Sequence, residues 1–227
     1  MSMQPRLVEV RRNVLKHNDV LAAALRDRFR GASVSVISLV SSPGSGKTEF
    51  LEKTLTRMSR EARVAALVGD LATANDADRL ARSNVPVKQI ITGTICHLEA
   101  QMVENALDEW DLNDLDYLFI ENVGNLVCPS SYDLGEAMRV VMMSVTEGED
   151  KPLKYPTIFN TADVAIITKM DLAEAVEFDL AAARKSIQAV RPGMKIIELS
   201  AKTGIGMDEW IDFVRSQRAH RTPAVAG

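Results

Sequence analysis

The chain has 227 residues, 46% of them hydrophobic and 26% charged, with a formal net charge of −4. That length suits one large domain with a sizeable core, and the mildly acidic balance, with no long Lys/Arg run, argues against a nucleic-acid partner. The apolar stretches fall far short of the roughly 20 residues that cross a bilayer. Residues 1–15 mix Arg, Glu and Gln with apolar positions, unlike a secretion signal. With only two cysteines, Cys96 and Cys128, the expected setting is the reducing cytoplasm, without a structural disulfide and without a membrane partner.

In chain order, residues 5–30 read as one amphipathic helix, with Leu7, Val10, Val14, Leu21, Leu25 and Phe29 at helical spacing and Gly31 as the stop. Residues 34–40 alternate and run apolar with β-branched residues, and predict a buried strand. A glycine-rich loop follows, then a helix over 47–60. Further strands are expected at 63–68, 87–91, 115–120, 140–145, 163–168 and 195–199. Helices are expected at 74–83, 95–110, 178–190 and 207–217. Strands alternating with helices predict an α/β fold of three layers: a mostly parallel central sheet with helices on both faces, as in P-loop NTPases. The expected divisions are an N-terminal helix over 1–31, a nucleotide-hydrolysing domain over 32–218 and a flexible tail over 219–227.

Ligands of such sheets bind beyond the carboxyl ends of the strands. Five features follow predicted strands directly: the loop 41–48, Asp70, Glu121, Asp171 and Ser200. The loop reads Ser-Ser-Pro-Gly-Ser-Gly-Lys-Thr. Small residues, Gly44, Ser45 and Gly46 among them, let backbone N–H groups close around phosphate oxygens. Lys47 is placed to reach the β- and γ-phosphates, and Thr48 to put its hydroxyl on Mg2+. Ser41 stands where the usual first glycine of the pattern falls. Magnesium favours oxygen ligands, and Asp70 and Glu121 are the carboxylates at suitable strand ends. A helix N-cap for Asp70 and a solvated strand end for Glu121 are the alternatives.

Thr168-Lys169-Met170-Asp171 resembles the guanine-reading motif Asn-Lys-x-Asp, with Thr in place of Asn. One carboxylate, Asp171, can accept both the N1–H and the exocyclic amine of guanine, and adenine offers neither there. The Lys169 stem covers the base. Ser200-Ala201-Lys202 matches the companion loop whose backbone N–H meets guanine O6. The expected ligand is GTP or GDP rather than ATP.

Cys96-His97 follows Thr92-Gly93-Thr94, and Cys128 lies seven residues after Glu121, where a loop sensing the γ-phosphate is expected. Thiolate and imidazole suit Zn2+ and Ni2+. By themselves these residues read more readily as two buried small thiols and a helix cap.

Together the segments 40–48, 69–79, 92–100, 121–129 and 144–156 resemble HypB, a family of GTPases that helps insert nickel into [NiFe] hydrogenase. The resemblance covers about residues 7–217. It implies slow GTP turnover, a homodimer formed on nucleotide and metal binding, and a metal site near the dimer interface at Cys96, His97 and Cys128. It also implies two partners, a nickel-carrying accessory protein and the hydrogenase large subunit. Residues 1–30 hold neither the Cys-x-x-Cys-Gly-Cys motif nor the histidine-rich tract of some relatives, so nickel storage is not expected. Two other readings stay open: a metal-binding module with a vestigial GTPase, and a related GTPase serving another metalloenzyme such as urease.

Overall fold

A computed structural model describes residues 5–70 and 79–219, with the side chains of 5–12 and 219 left aside. The described residues form a sheet of seven strands: β1 (Ser35–Ser41), β2 (Val64–Asp70), β3 (Val87–Ile91), β4 (Tyr117–Glu121), β5 (Met138–Ser144), β6 (Val164–Thr168) and β7 (Lys195–Glu198). Their order is β3-β2-β4-β1-β5-β6-β7, and every pairing is parallel. All seven expected strands are present within a few residues of their predicted ends. The sheet is fully parallel, a step beyond the mostly parallel sheet expected.

The central strands are mainly apolar because both faces are covered. Ile37 and Leu39 of β1, with Phe119 and Val140, pack against α2 (Lys47–Met58) and α7 (Met207–Ala219). On the other face, Val36 and Leu118 meet Leu25 and Phe29 of α1 (Pro5–Gly31) and Val103 of α3 (Ala100–Ala106). Val141 and Ile167 meet Phe159 of α5 (Pro156–Thr161) and Ile187 of α6 (Leu180–Val190). A short helix α4 (Lys151–Lys154) precedes α5. No described helix is long and apolar enough to cross a membrane.

Helix α1 departs from its expected face. Leu25 and Phe29 are buried, but Val14 is 44% exposed; among the described side chains of α1 the first buried one is Asn18. Leu7 and Val10 fall outside the described side chains. So does the first half of the helix expected over 74–83; its end is a 3-10 turn at Ala81–Ser83. The tail expected over 219–227 lies outside the described residues apart from the last helical residue, Ala219.

The helix expected over 95–110 forms only over Ala100–Ala106. Residues 95–99 are held as an open segment by acceptors distant in sequence. Leu98 N–H donates to Asn122 Oδ1 at 3.0 Å, and Ala100 N–H donates to Asn18 Oδ1 at 2.8 Å. The Leu98 side chain fills the space over Gly69, where an added Cβ would lie 2.8 Å from Leu98 Cγ. Cys96 and His97 therefore precede a helix instead of opening one.

Register sets the functional edge. Leu39 of β1 lies level with both Glu121 and Val140, and Ser144 lies level with Thr168. The chain leaves β1 where its two neighbours, β4 and β5, are reached by connections running in opposite directions. That is the topological switch point at which such sheets bind ligands.

Candidate nucleotide and metal site

Two glycines make the phosphate loop possible. Gly44 has φ 73° and Gly46 φ 92°, the left-handed region that other residues rarely enter. Gly46 caps α2, so the loop wraps the positive end of that helix. Lys47 is buried and donates from Nζ to Ser41 Oγ at 2.9 Å. Ser41 Oγ in turn donates to the Ser42 carbonyl at 2.7 Å and contacts Ser45 Oγ. The serine in the place of the usual glycine thus supplies a hydroxyl that aims the lysine, a role the sequence pattern does not announce.

Thr48 and Glu121 are brought together: Thr48 Oγ1 donates to Glu121 Oε1 at 2.9 Å, and Glu121 is almost wholly buried. Two hard oxygen donors side by side next to a phosphate loop fit a magnesium ion. Asp70 ends β2, one strand beyond β4, and its carbonyl accepts from Thr92 N–H at 2.9 Å.

On the base side, Thr168 Oγ1 donates to the Ser45 carbonyl at 2.7 Å and lies 3.2 Å from the Met143 carbonyl. Lys169, itself at φ 59°, donates from Nζ to the Gly44 carbonyl at 2.7 Å. The motif at 168–171 therefore holds two consecutive carbonyls of the phosphate loop. Ser200 Oγ donates to Asp171 Oδ1 at 2.6 Å and accepts from Thr203 N–H, which fixes the carboxylate at the mouth of a cavity. That cavity, of about 220 Å³, is lined by Ser45, Phe50, Lys169, Asp171, Ala201 and Lys202 among others. The expected base-side residues are gathered in one place.

Some distance along the same edge, one ligand atom from each of Cys96, His97 and Cys128 lies within 4.8 Å of the others. The two sulfurs are 2.9 Å apart, and both cysteines are free. The neighbouring Cys128 sulfur, and then burial, push the Cys96 thiol above its ordinary value. Burial holds the His97 imidazole below its own, against the pull of nearby Glu99. Neither His97 ring nitrogen makes a hydrogen bond, although Nε2 lies 3.3 Å from Glu99 Oε1. The ring leans on Tyr132, centroid to centroid 3.9 Å. Two close thiols and a neighbouring imidazole fit a borderline-soft cation such as nickel or zinc.

Three asparagines hold the two thiol-bearing segments together, and sequence reasoning passed over all of them. Asn122 accepts from Leu98 N–H, Asn125 donates to the Cys96 carbonyl at 3.2 Å, and buried Asn18 bridges Ala100 N–H and the Asp133 carbonyl at 2.8 Å each. The segment that starts at Glu121 also touches the phosphate loop. A Cβ on Gly124 would lie 3.1 Å from Pro43 Cα.

Residues 35–198 match the family model described as CobW/HypB/UreG, nucleotide-binding domain. The chain is 46% identical over 221 residues to the hydrogenase maturation factor HypB of Azotobacter chroococcum, a match spanning 97% of this chain and 72% of that protein. The chain belongs to the HypB family. A second HypB relative, the hydrogenase/urease maturation factor of Helicobacter pylori, is 41% identical, covering 93% of this chain and 88% of that one. The crystal structure of HypB from Helicobacter pylori in complex with nickel superposes with a TM-score of 0.86 at 41% identity, over 93% of this chain and 99% of that chain. This HypB-family chain is thus a P-loop nucleotide-binding protein of the three-layer α/β class.

Proposed function

We propose that this chain is a GTP-hydrolysing metallochaperone that carries nickel for hydrogenase maturation and acts as a homodimer in the cytoplasm. The observation that carries the reading is the segment 121–131. It starts at the carboxylate that accepts from Thr48 and passes Gly124 against Pro43. It then delivers Cys128 to Cys96 and His97. A loop anchored at the phosphate site at one end and ending in a metal ligand suits a protein that trades nucleotide state for metal affinity. The names of the relatives, and nickel in one relative's structure, support nickel as cargo and hydrogenase as client. Zinc, which shares these ligand preferences, is the competing occupant.

Within this reading Gly44, Ser45, Gly46 and Lys47 cradle the phosphates. Asp171 and Ala201 read guanine, while Lys169 covers it and Ser200 and Lys202 complete the rim. Thr48, Glu121 and Asp70 hold magnesium, which supplies charge neutralisation on the β- and γ-phosphates when bound. Lys47 neutralises charge as the γ-phosphoryl leaves, and no covalent intermediate with the protein is needed. Metal at the thiols and nucleotide at the loop shift each other's affinity by one coupling free energy.

The test is nickel titration of the metal-free, GDP-bound and GTP-analogue-bound protein, with light scattering to read assembly. Nickel affinity or dimerisation that differs between nucleotide states, and that Cys128→Ala abolishes, is the expected result. Identical nickel binding in all three states, or binding untouched by Cys128→Ala, overturns the coupling. GTP and ATP bound equally tightly would overturn the base assignment.

A further inference from the structure

Glu99 occupies the N-cap position of α3, in extended conformation, yet its side chain makes no capping hydrogen bond. The first N–H of the helix, that of Ala100, donates to Asn18 Oδ1. The carboxylate turns the other way, and Oε1 comes to 3.3 Å from His97 Nε2.

His97 needs such a neighbour. Its ring nitrogens are buried and make no hydrogen bond, and Tyr132 restricts the ring from one face without specifying which nitrogen carries the proton. A neutral imidazole protonated at Nδ1 points a lone pair from Nε2 at a carboxylate, which is repulsive. Protonated at Nε2, it donates toward Glu99 and leaves the Nδ1 lone pair for a cation. Carboxylates that accept from the outer nitrogen of a metal-bound histidine fix its tautomer and raise its basicity.

We propose that Glu99 is a positioning residue for the metal site: it keeps the His97 proton on Nε2 and commits Nδ1 to the cation shared with Cys96 and Cys128. This rests on the reading that those three residues hold the metal. Glu99 also lines a groove of about 380 Å³ with Val14, His17 and Leu21 of α1.

The test has two readouts on the full-length chain. Without metal, 1H–15N correlation spectra of the His97 ring report the tautomer at neutral pH. Nickel(II) titration followed by thiolate-to-nickel charge-transfer absorbance reports affinity and ligand field. The wild type is expected to carry the proton on Nε2. Glu99→Ala should mix the tautomers, shift the charge-transfer bands and weaken nickel binding roughly 10- to 100-fold. Glu99→Gln keeps the volume and an accepting oxygen, so it should retain the Nε2 tautomer and most of the affinity. A wild-type proton on Nδ1, or Glu99→Ala with wild-type tautomer, spectrum and affinity, overturns the proposal. His97→Ala separates the two readings. If it binds nickel like the wild type, the metal-site reading itself fails. If it loses nickel while Glu99→Ala does not, only the role of Glu99 fails.

Discussion

Replacing Thr168 with valine deletes one hydroxyl and keeps the shape of the side chain. Thr168 ends β6 and is 3% exposed, so water cannot take the place of the lost group. The hydroxyl makes its short bond, 2.7 Å, to the carbonyl of Ser45 inside the phosphate loop. A buried acceptor left without its donor costs about 1–3 kcal/mol. The loop keeps a second tie, Lys169 Nζ to the Gly44 carbonyl, but Lys169 is partly exposed and that bond is the weaker restraint. At about 1.4 kcal/mol per factor of ten, roughly tenfold weaker GDP binding is expected, and up to about a hundredfold at the upper end. Whatever part of the cost does not fall on the loop shows in unfolding, as about 2–4 °C for each kcal/mol. The assay is titration calorimetry with GDP beside thermal unfolding, with Thr168→Ser as a control that keeps the donor. Valine and serine variants that match in both affinity and melting temperature would refute the argument.

Lys47→Ala removes the buried ammonium held by Ser41 and should lower phosphate release at least a hundredfold, read by a phosphate-binding assay. Gly124→Ala forces a methyl group against the Pro43 backbone. It should cost about 1–3 kcal/mol in thermal unfolding and uncouple nickel affinity from nucleotide state. Hydrogen peroxide should oxidise Cys96 and Cys128 as a pair within one chain, forming a disulfide and two waters per peroxide. A thiol count that falls by one sulfur at a time, or that yields only disulfide-linked dimers, would contradict the geometry. The Arg63 guanidinium beside Asp116, helped by Arg218, holds that carboxyl well below its ordinary range. A depressed carboxylate stabilises the fold above its unfolded value near 4 and loses that contribution as pH falls through its folded value. The stability advantage of wild type over Asp116→Asn should therefore be full at neutral pH and shrink under strong acid.

Much of the fold is legible because the central strands are covered on both faces and so appear as mainly apolar runs, as Val64 to Val68 does. The phosphate loop is legible for a different reason: its glycines and lysine sit in a fixed local order that chain geometry demands. The helix over 95–110 is over-read because Leu98, Met102 and Ala106 do recur at helical spacing, while the acceptors that open its first turn belong to Asn18 and Asn122. Periodicity reports on neighbours in the chain and not on such distant partners. The helices at 151–154 and 156–161 are under-read because Pro152 and Pro156 look like breakers, although proline is well suited to the first turn of a helix. Cys96, His97 and Cys128 are a weak pattern in the sequence because two of them stand 32 residues from the third or nearly so. Only the folded sheet edge makes them a cluster.

Asn18 has a consequence for the order in which the protein becomes competent. Its two hydrogen bonds span 82 and 115 residues of chain, and they join the segments carrying Cys96 and Cys128 through a helix that belongs to neither. Contacts of such separation close late, since the entropy of the intervening loops must be lost before they form. The paired thiols therefore come under their final restraint only when the first helix docks on a nearly finished sheet. A growing or partly unfolded chain has the cysteines but lacks that third restraint, so on the proposed metal reading a complete binding site would exist only once the nucleotide-binding fold is in place.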